Sequence, residues 1–255
     1  MSYFQAIILA VIEGLTEFLP ISSTGHLIIT QHLLGINSTE FTKSFNIVIQ
    51  LASILAVIVL FRKTIIKSKH LWKQLIIAFL PTGVLGIIFY KLIKAYLLDS
   101  TSVTIVSLIV GGVALLIIDT LPKLKNGQKK IQNLQITNLF TIGLFQTVSM
   151  VPGISRSAAS IVGGLFSGLA RQQAVAFSFL LAIPTMIAAT GYDLINSGFL
   201  YTQNEYHLLL IGSFFSFLSA MLAVKAFTVF VQKNNFRLFA IYRIIFAIII
   251  WLIIK

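Results

Sequence analysis

The stretch EGLTEFLPISSTGH occupies residues 13–26 and lies inside a longer apolar segment, Phe4–Leu34. It contains Glu13, Glu17, Pro20 and His26 at positions where a bilayer-spanning helix carries apolar side chains. Non-helical backbone and charged groups at membrane depth are tolerated only where they are buried in protein or line a cavity. The stretch therefore predicts a re-entrant helical hairpin that is broken near its middle.

A second apolar segment, Leu139–Leu169, is interrupted by the sequence PGISRS at residues 152–157. Proline and glycine disrupt a helix, and Arg156 is the only cation in the segment. The same argument predicts a second re-entrant hairpin.

Six further apolar segments approach the length that crosses a bilayer, about 20 residues. Together with the two hairpins they predict an all-α, polytopic membrane protein that forms a single integral membrane domain, 1–255. The predicted crossings are Phe45–Phe61, Leu75–Tyr90, Val103–Leu121, Ala174–Ile195, Leu208–Val231 and Leu238–Ile254.

The composition agrees with a membrane protein. Of 255 residues, 57% are hydrophobic and 10% are charged, whereas soluble domains are about 25% charged. The net charge is +12, but the cations do not form a basic helix at a polar surface, so we expect no nucleic-acid partner. The chain has no cysteine, which excludes disulfides, a thiolate nucleophile and cysteine-ligated metal sites.

The cations predict the orientation. If Phe45–Phe61 runs inward, twelve of the nineteen cations fall on one side, as expected for cytoplasmic loops. Both chain termini then lie on the outer face of the membrane. The twelve cations are Arg62, Lys63, Lys67, Lys69, Lys73, Lys123, Lys125, Lys129, Lys130, Arg171, Lys233 and Arg237.

An internal repeat is visible at an offset of 132 positions, which aligns Pro20 with Pro152 and Ser23 with Ser155. It divides the chain into repeats of about 1–122 and 134–255, joined by a basic cytoplasmic linker, 123–133. Each repeat has one hairpin and three crossings. Because three is odd, the second repeat starts from the opposite side, which predicts an inverted-topology repeat with both hairpins near the midplane.

Glu13 and Glu17 are four positions apart, so a helix presents both carboxylates on one face. Neighbouring carboxylates repel unless a proton or a cation lies between them, and oxygen ligands suit Mg²⁺ or Ca²⁺. This pattern predicts a divalent-cation site. The alternative is that the two carboxylates face a water-filled vestibule or form ion pairs across the bundle.

His26 follows Ser23 by three positions and Ser22 by four, a separation that one helical turn bridges. A hydroxyl beside an imidazole is the simplest activated nucleophile, with the imidazole as general base. The alternative is a histidine that only packs and forms hydrogen bonds.

Arg156 matches a phosphate or carboxylate with its planar fork. The break at residues 152–153 directs the N–H groups of the next helix to the same place, and Ser155 and Ser157 add hydroxyl donors. These features predict an anion site. The alternative is a salt bridge from Arg156 to Glu13 or Glu17 without a substrate anion.

Other polar side chains lie in the apolar segments, among them Gln50, Ser53, Ser178, Thr185, Lys225 and Arg243. Gln50 is expected either to line the cavity or to bond between helices. Arg243 is expected to be structural or to reach the headgroups, since long basic side chains extend toward the interface.

A carboxylate pair, a serine–histidine pair and an arginine in a membrane cavity favour phosphoryl transfer on a lipid headgroup. An inverted-repeat transporter or flippase for an anionic prenyl phosphate is the alternative, because such proteins also place helix N-termini at the midplane. The Ser23–His26 pair favours the enzyme, since transport requires no nucleophile.

The motifs at residues 13–26 and 152–157, with shorter matches at 48–51, 177–181 and 239–243, resemble the undecaprenyl-diphosphate phosphatases of the bacitracin-resistance type. The resemblance covers essentially the whole chain. It implies a bacterial cytoplasmic-membrane enzyme that removes the terminal phosphate of undecaprenyl diphosphate, recycles the carrier lipid for cell-wall synthesis and confers bacitracin resistance. It also implies a divalent-cation requirement and an active site open to the outer face. The sequence allows a homodimer but does not determine the oligomeric state.

The resemblance also assigns roles. It makes Glu13 and Glu17 the acidic pair, Ser23 the nucleophile, His26 its base or acid and Arg156 the diphosphate clamp. Supporting contacts would come from Ser22, Thr24, Ser155 and Ser157. Attack by His26 or by metal-bound water stays open, and the one-turn spacing favours Ser23 with His26 as base. The family commonly has Gly-Ala-Thr where this chain has Ala-Ala-Ser at residues 158–160, a change that we expect to be tolerated.

Overall fold

The computed structural model describes residues 1–97, 100–121, 124, 127–197 and 201–254. Within these residues the only pairing of the strand type is an isolated bridge between Lys129 and Leu169. The described helices are α1 (Tyr3–Thr16), α2 (Ser23–Leu33), α3 (Glu40–Leu60), α4 (Arg62–Lys67), α5 (Lys69–Tyr96), α6 (Thr101–Thr120), α7 (Ile136–Thr147), α8 (Arg156–Phe166), α9 (Arg171–Ser197), α10 (Gln203–Lys233) and α11 (Arg237–Ile253), with short 3-10 turns at Ile131–Asn133 and Val148–Met150.

Five described helices are long and apolar enough to cross a membrane, namely α3, α5, α6, α9 and α10. They correspond to the first five predicted crossings and establish a multi-pass membrane protein. The sixth predicted crossing, Leu238–Ile254, is the 17-residue helix α11, which is not among the five. It begins shortly after the polar residues that follow α10.

Both predicted hairpins are broken into two helices. Residues 17–22 separate α1 from α2, and residues 148–155 separate α7 from α8. The residue before each second helix has a left-handed backbone, with φ of 67° at Ser22 and 78° at Ser155, and these are the only non-glycine residues with positive φ in the described chain. The structure therefore matches Ser22, not Ser23, with Ser155. The predicted alignment of Ser23 with Ser155 is thus wrong by one residue, because the second turn contains an additional residue, Gly153, between its proline and its serine.

The first helix of each broken segment packs closely on a long helix from the other half of the chain, α1 on α10 and α7 on α5. Glycines permit this approach. A Cβ at Gly14 would collide with the Ser216 carbonyl of α10, and a Cβ at Gly143 would collide with the Ala78 carbonyl of α5. The helices α3 and α9 also pack together, as do α6 and α11.

Several of the basic loops meet at one end of the bundle, as the cation pattern predicts. The Lys129 backbone pairs with residues 168–170, and Arg171 donates to the Asn234 carbonyl at 3.2 Å. Arg171 also lies 3.4 Å from Asp119. Lys123 and Lys125 of the predicted linker lie outside the described residues.

The start of α1 lies near the start of α10, where the Tyr3 hydroxyl donates to Asn204 at 2.9 Å. In addition, the Gln5 amide donates to the Leu34 carbonyl at the end of α2, at 3.0 Å.

Candidate active site

The two breaks meet at the carboxylate of Glu17. Its Oε1 accepts a hydrogen bond from Arg156 Nη2 at 2.9 Å, and its Oε2 accepts from the Ser23 hydroxyl at 2.6 Å. Glu17 is 5% exposed and Arg156 is 9% exposed, so their ion pair is largely shielded from solvent. Three residues predicted from two separate motifs therefore form one cluster.

Arg156 is held on several sides. Its Nη1 donates to the Ser178 carbonyl at 2.9 Å, and its guanidinium lies 5.7 Å from the ring centroid of Phe18. Its Nε is buried and has no hydrogen-bond partner. The salt bridge from Arg156 to Glu17, which was the alternative to an anion site, is thus present. It orients the guanidinium toward a cavity.

A cavity of about 140 Å³ lies between the two breaks. Most of its lining is polar or belongs to the two turns. The lining residues are Glu17, Ser22, Ser23, Thr24, Gln50, Ser149, Pro152, Gly153, Ser155, Arg156 and Met186. The predicted cavity position of Gln50 is confirmed, and the chemistry of this lining suits an anionic group with hydroxyl and guanidinium donors.

Glu13 lies one helical turn from Glu17 and is fully buried. Neither of its carboxylate oxygens has a hydrogen-bond partner, although Glu17 lies close enough to interact with it. Buried carboxylates without partners are costly, so Glu13 needs a proton or a cation. No group of three or more His, Cys, Asp or Glu side chains suited to a metal occurs in the described residues. Magnesium commonly takes one or two carboxylates and completes its shell with water and substrate phosphates, so the pair satisfies the protein's share of such a site.

The expected hydrogen bond between Ser23 and His26 is not formed. His26 Nδ1 lies 2.7 Å from the Ser22 carbonyl, and His26 Nε2 lies 2.6 Å from the Tyr242 hydroxyl. The imidazole also stacks on Phe246 at 4.0 Å between centroids. Ser23 and His26 are one helical turn apart, as the spacing predicts, but the Ser23 hydroxyl donates its hydrogen bond to Glu17. The His26 ring instead reaches the backbone of the left-handed residue Ser22.

The serines predicted to bind substrate have different environments. Ser22, Thr24 and Ser155 line the cavity, although the Ser155 hydroxyl also accepts a hydrogen bond from the Ala158 N–H at 3.2 Å. Ser157 is fully buried and donates to the Phe18 carbonyl at 2.8 Å. Its predicted substrate contact is therefore wrong, because helical geometry turns its side chain toward the first hairpin and away from the cavity.

Arg243 is fully buried, so its predicted alternative position at the headgroups is wrong and its structural role is confirmed. Its guanidinium points into the protein, where backbone carbonyls of three segments accept its hydrogen bonds. The acceptors are Pro20 (3.2 Å), Ser107 (3.2 Å), Leu108 (3.3 Å), Gly153 (2.8 Å) and Ile154 (2.9 Å).

A family model described as "Bacitracin resistance protein BacA" matches residues 6–249. The chain belongs to this family. Its relatives include proteins named undecaprenyl-diphosphatase from Aquifex aeolicus, Flavobacterium psychrophilum and Wolinella succinogenes, which are 47%, 48% and 47% identical to it. The alignments cover 98%, 99% and 98% of this chain and 97%, 96% and 97% of the relatives. The resemblance inferred from the motifs is thereby confirmed.

Sequence reasoning missed two polar residues of this BacA-family site. Ser149 lines the cavity from the 3-10 turn after α7, and Tyr242 bonds to His26. Tyr242 could have been found because it lies in the 239–243 motif that resembles the family. Ser149 carried a weaker signal, a polar residue close to the break in an apolar segment.

Proposed function

We propose that this protein is an undecaprenyl-diphosphatase, which hydrolyses undecaprenyl diphosphate to undecaprenyl phosphate and phosphate. The observation that carries the proposal is the Glu17 carboxylate, bonded to both Ser23 and Arg156 beside a polar cavity. The printed names of its relatives support the same substrate. The activity recycles a lipid carrier for cell-wall synthesis and confers resistance to bacitracin.

Ser23 acts as the nucleophile, with Glu17 as the base. The short bond from the Ser23 hydroxyl to Glu17 supports this pairing, and His26 is engaged elsewhere. Ser23 Oγ bonds to the terminal phosphorus and its proton passes to Glu17, while the bond from that phosphorus to the bridging oxygen breaks. Undecaprenyl phosphate leaves with the electron pair of that bond.

Water completes the cycle. It attacks the phosphoserine phosphorus as the Ser23 Oγ–P bond breaks, and Glu17 returns its proton to Ser23 Oγ. Glu17 takes one proton from the water and then releases it to solvent, while phosphate keeps the other. The products carry one more negative charge than the substrate, which the released proton balances.

The diphosphate binds where donors converge. Arg156 lines the cavity with a guanidinium already oriented by Glu17 and Ser178. The first turn of α2 has no side-chain cap, so its N–H groups and the Thr24 hydroxyl face the anion. These groups stabilise the charge that develops on the transferred phosphoryl group.

Glu13 and Glu17 are the residues that would hold a divalent cation, Mg²⁺ or Ca²⁺. The unpartnered oxygens of Glu13 support this assignment, since a cation removes the cost of burying them. The chemistry that such a cation would supply is neutralisation of phosphate charge.

The membrane arrangement has six crossings, with α11 as the sixth, and two re-entrant hairpins related as an inverted repeat. The exchange of contacts between repeats, α1 on α10 and α7 on α5, supports it. The basic loops face the cytoplasm and the cavity opens to the outer side of the bacterial inner membrane. The transporter alternative is not favoured, because the relatives are named as phosphatases.

The test measures phosphate release from undecaprenyl diphosphate in detergent, with and without EDTA. We expect Glu17→Gln and Arg156→Ala to lower kcat about a thousandfold, and EDTA to abolish turnover of the wild type. Glu40→Gln is the matched control, because Glu40 forms only a surface pair with Lys43 and should retain full activity. Normal turnover by Glu17→Gln would contradict the mechanism. Movement of lipid phosphate across vesicles without phosphate release by the wild type would favour the transporter.

A further inference from the structure

Arg243 joins the two catalytic turns. Of its five carbonyl acceptors, Pro20 lies in the first turn, while Gly153 and Ile154 lie in the second. An arginine side chain has five N–H donors, so these five bonds use its full donor capacity. The fold makes room for the guanidinium, because a Cβ at Gly111 would collide with it.

Tyr242, the neighbouring residue on α11, reaches the first turn through His26. A carbonyl oxygen can only accept, so His26 Nδ1 must carry the hydrogen that it shares with the Ser22 carbonyl. In the neutral imidazole Nε2 then accepts from the Tyr242 hydroxyl. The Ser22 carbonyl therefore fixes the tautomer, and the Tyr242 hydroxyl anchors the other side of the imidazole ring that holds this left-handed residue before Ser23.

We infer that Tyr242 and Arg243 are positioning residues that hold the two turns in the geometry in which Ser23 and Arg156 both meet Glu17. Arg243 sets the separation of the turns directly. Tyr242 acts through His26, which on this assignment is itself a positioning residue and not the base of Ser23. The inference rests on the proposed phosphatase function, since it concerns the same cavity.

Tyr242→Phe is the sharpest variant, because it removes one hydroxyl and keeps the ring that stacks near His26 and Phe246. We expect kcat for phosphate release to fall about tenfold, the effect of one lost hydrogen bond on alignment, with KM unchanged. Tyr242 also lines an apolar groove between α1, α10 and α11. If it served mainly as a contact for the lipid chain, KM would change and kcat would not. Tyr3→Phe is the matched control, since it removes the hydrogen bond from the Tyr3 hydroxyl to Asn204, which lies outside the cavity.

A double-mutant cycle tests whether Tyr242 acts through His26. If it does, adding Tyr242→Phe to His26→Asn should produce no further loss of kcat, because the pathway is already broken. Multiplicative losses would overturn the assignment. A measurement independent of activity is the ¹⁵N spectrum of ring-labelled histidine. The signals of His26 are identified by their disappearance from the spectrum of His26→Asn. We expect them to show a proton on Nδ1. The Nε2 signal should shift in Tyr242→Phe but not in Tyr3→Phe.

Arg243→Lys tests the direct link, since a lysine offers three donors from one atom and cannot reach all five carbonyls. We expect kcat to fall about a hundredfold, the effect of a misplaced site, in protein that still binds substrate. Arg171→Lys is the control, because Arg171 also donates to a carbonyl but at the basic end of the bundle. Wild-type kcat in Arg243→Lys or Tyr242→Phe would overturn the inference. Absence of turnover in the wild type would instead refute the proposed function, and the histidine spectrum would still test the tautomer.

Discussion

The two broken hairpins share one backbone feature and differ in chemistry. Each places a serine with a left-handed backbone before its second helix, Ser22 in the first hairpin and Ser155 in the second. The first residue of that helix is Ser23 in one case and Arg156 in the other, and both bond to Glu17. The first broken segment thus supplies the carboxylate and the hydroxyl, and the second supplies the cation.

The caps of the two helices differ as well. The Ser155 hydroxyl accepts from the Ala158 N–H at 3.2 Å, while Ser22 forms no side-chain cap and its carbonyl contacts His26. The first-turn N–H groups of α2 are therefore left for a phosphate, whereas one of those of α8 is already used. Two turns with a left-handed serine in common thus differ in chemistry, since one carries the proposed nucleophile and the other carries the guanidinium.

The largest effect is expected from two variants that each remove one hydroxyl, one from each turn. Ser23→Ala should lower kcat about a thousandfold, because it deletes the nucleophile beside Glu17. Ser155→Ala should lower kcat less than tenfold and cost about 1 kcal/mol of stability, because it removes a helix cap. Phosphate release and thermal unfolding measure the two effects. Equal losses of kcat would mean that the turns share the chemistry.

The next test concerns what the hairpins have in common. Gly14→Ala and Gly143→Ala should each cost about 1–3 kcal/mol, because the added methyl group meets a backbone carbonyl of the facing helix. Thermal unfolding in detergent should show a lowered midpoint for both variants. Gly191→Ala is the control, since a Cβ there meets nothing within 4 Å. A loss in only one hairpin would show that the two interfaces are not equivalent.

The smallest expected effect comes from the left-handed serines themselves. Ser22→Gly should stabilise the protein by about 0.5 kcal/mol, since glycine adopts positive φ without strain and Ser22 has no cap bond to lose. Ser155→Gly should gain less, because the bond to Ala158 disappears. Chemical or thermal unfolding of the two variants measures the difference. A larger gain at Ser155 would contradict the assigned difference in capping.

Much of the site could be predicted from residue types and spacing. Glu17 and Arg156 were expected because charges at membrane depth are costly unless they have a function or a partner. The Ser23–His26 bond was predicted wrongly, since spacing of three positions brings two side chains close but does not decide which acceptor each one takes. The Ser157 contact failed for the same reason, because its nearest acceptor is the Phe18 carbonyl of the other hairpin.

The sequence by itself determined the membrane environment, the positions of both helix breaks and the residues that carry charge inside them. These properties are local, since the cost of transfer to lipid belongs to each side chain. The helices break where a proline stands among polar and charged residues, whereas Pro81 and Pro184 lie inside continuous helices of apolar sequence. Only the tertiary structure decided that Glu17 joins Ser23 to Arg156 and that Arg243 joins the two turns. Arg156 lies 139 positions from Glu17 and Arg243 lies 223 positions from Pro20, and only the packing of helices from distant parts of the chain brings such partners into contact.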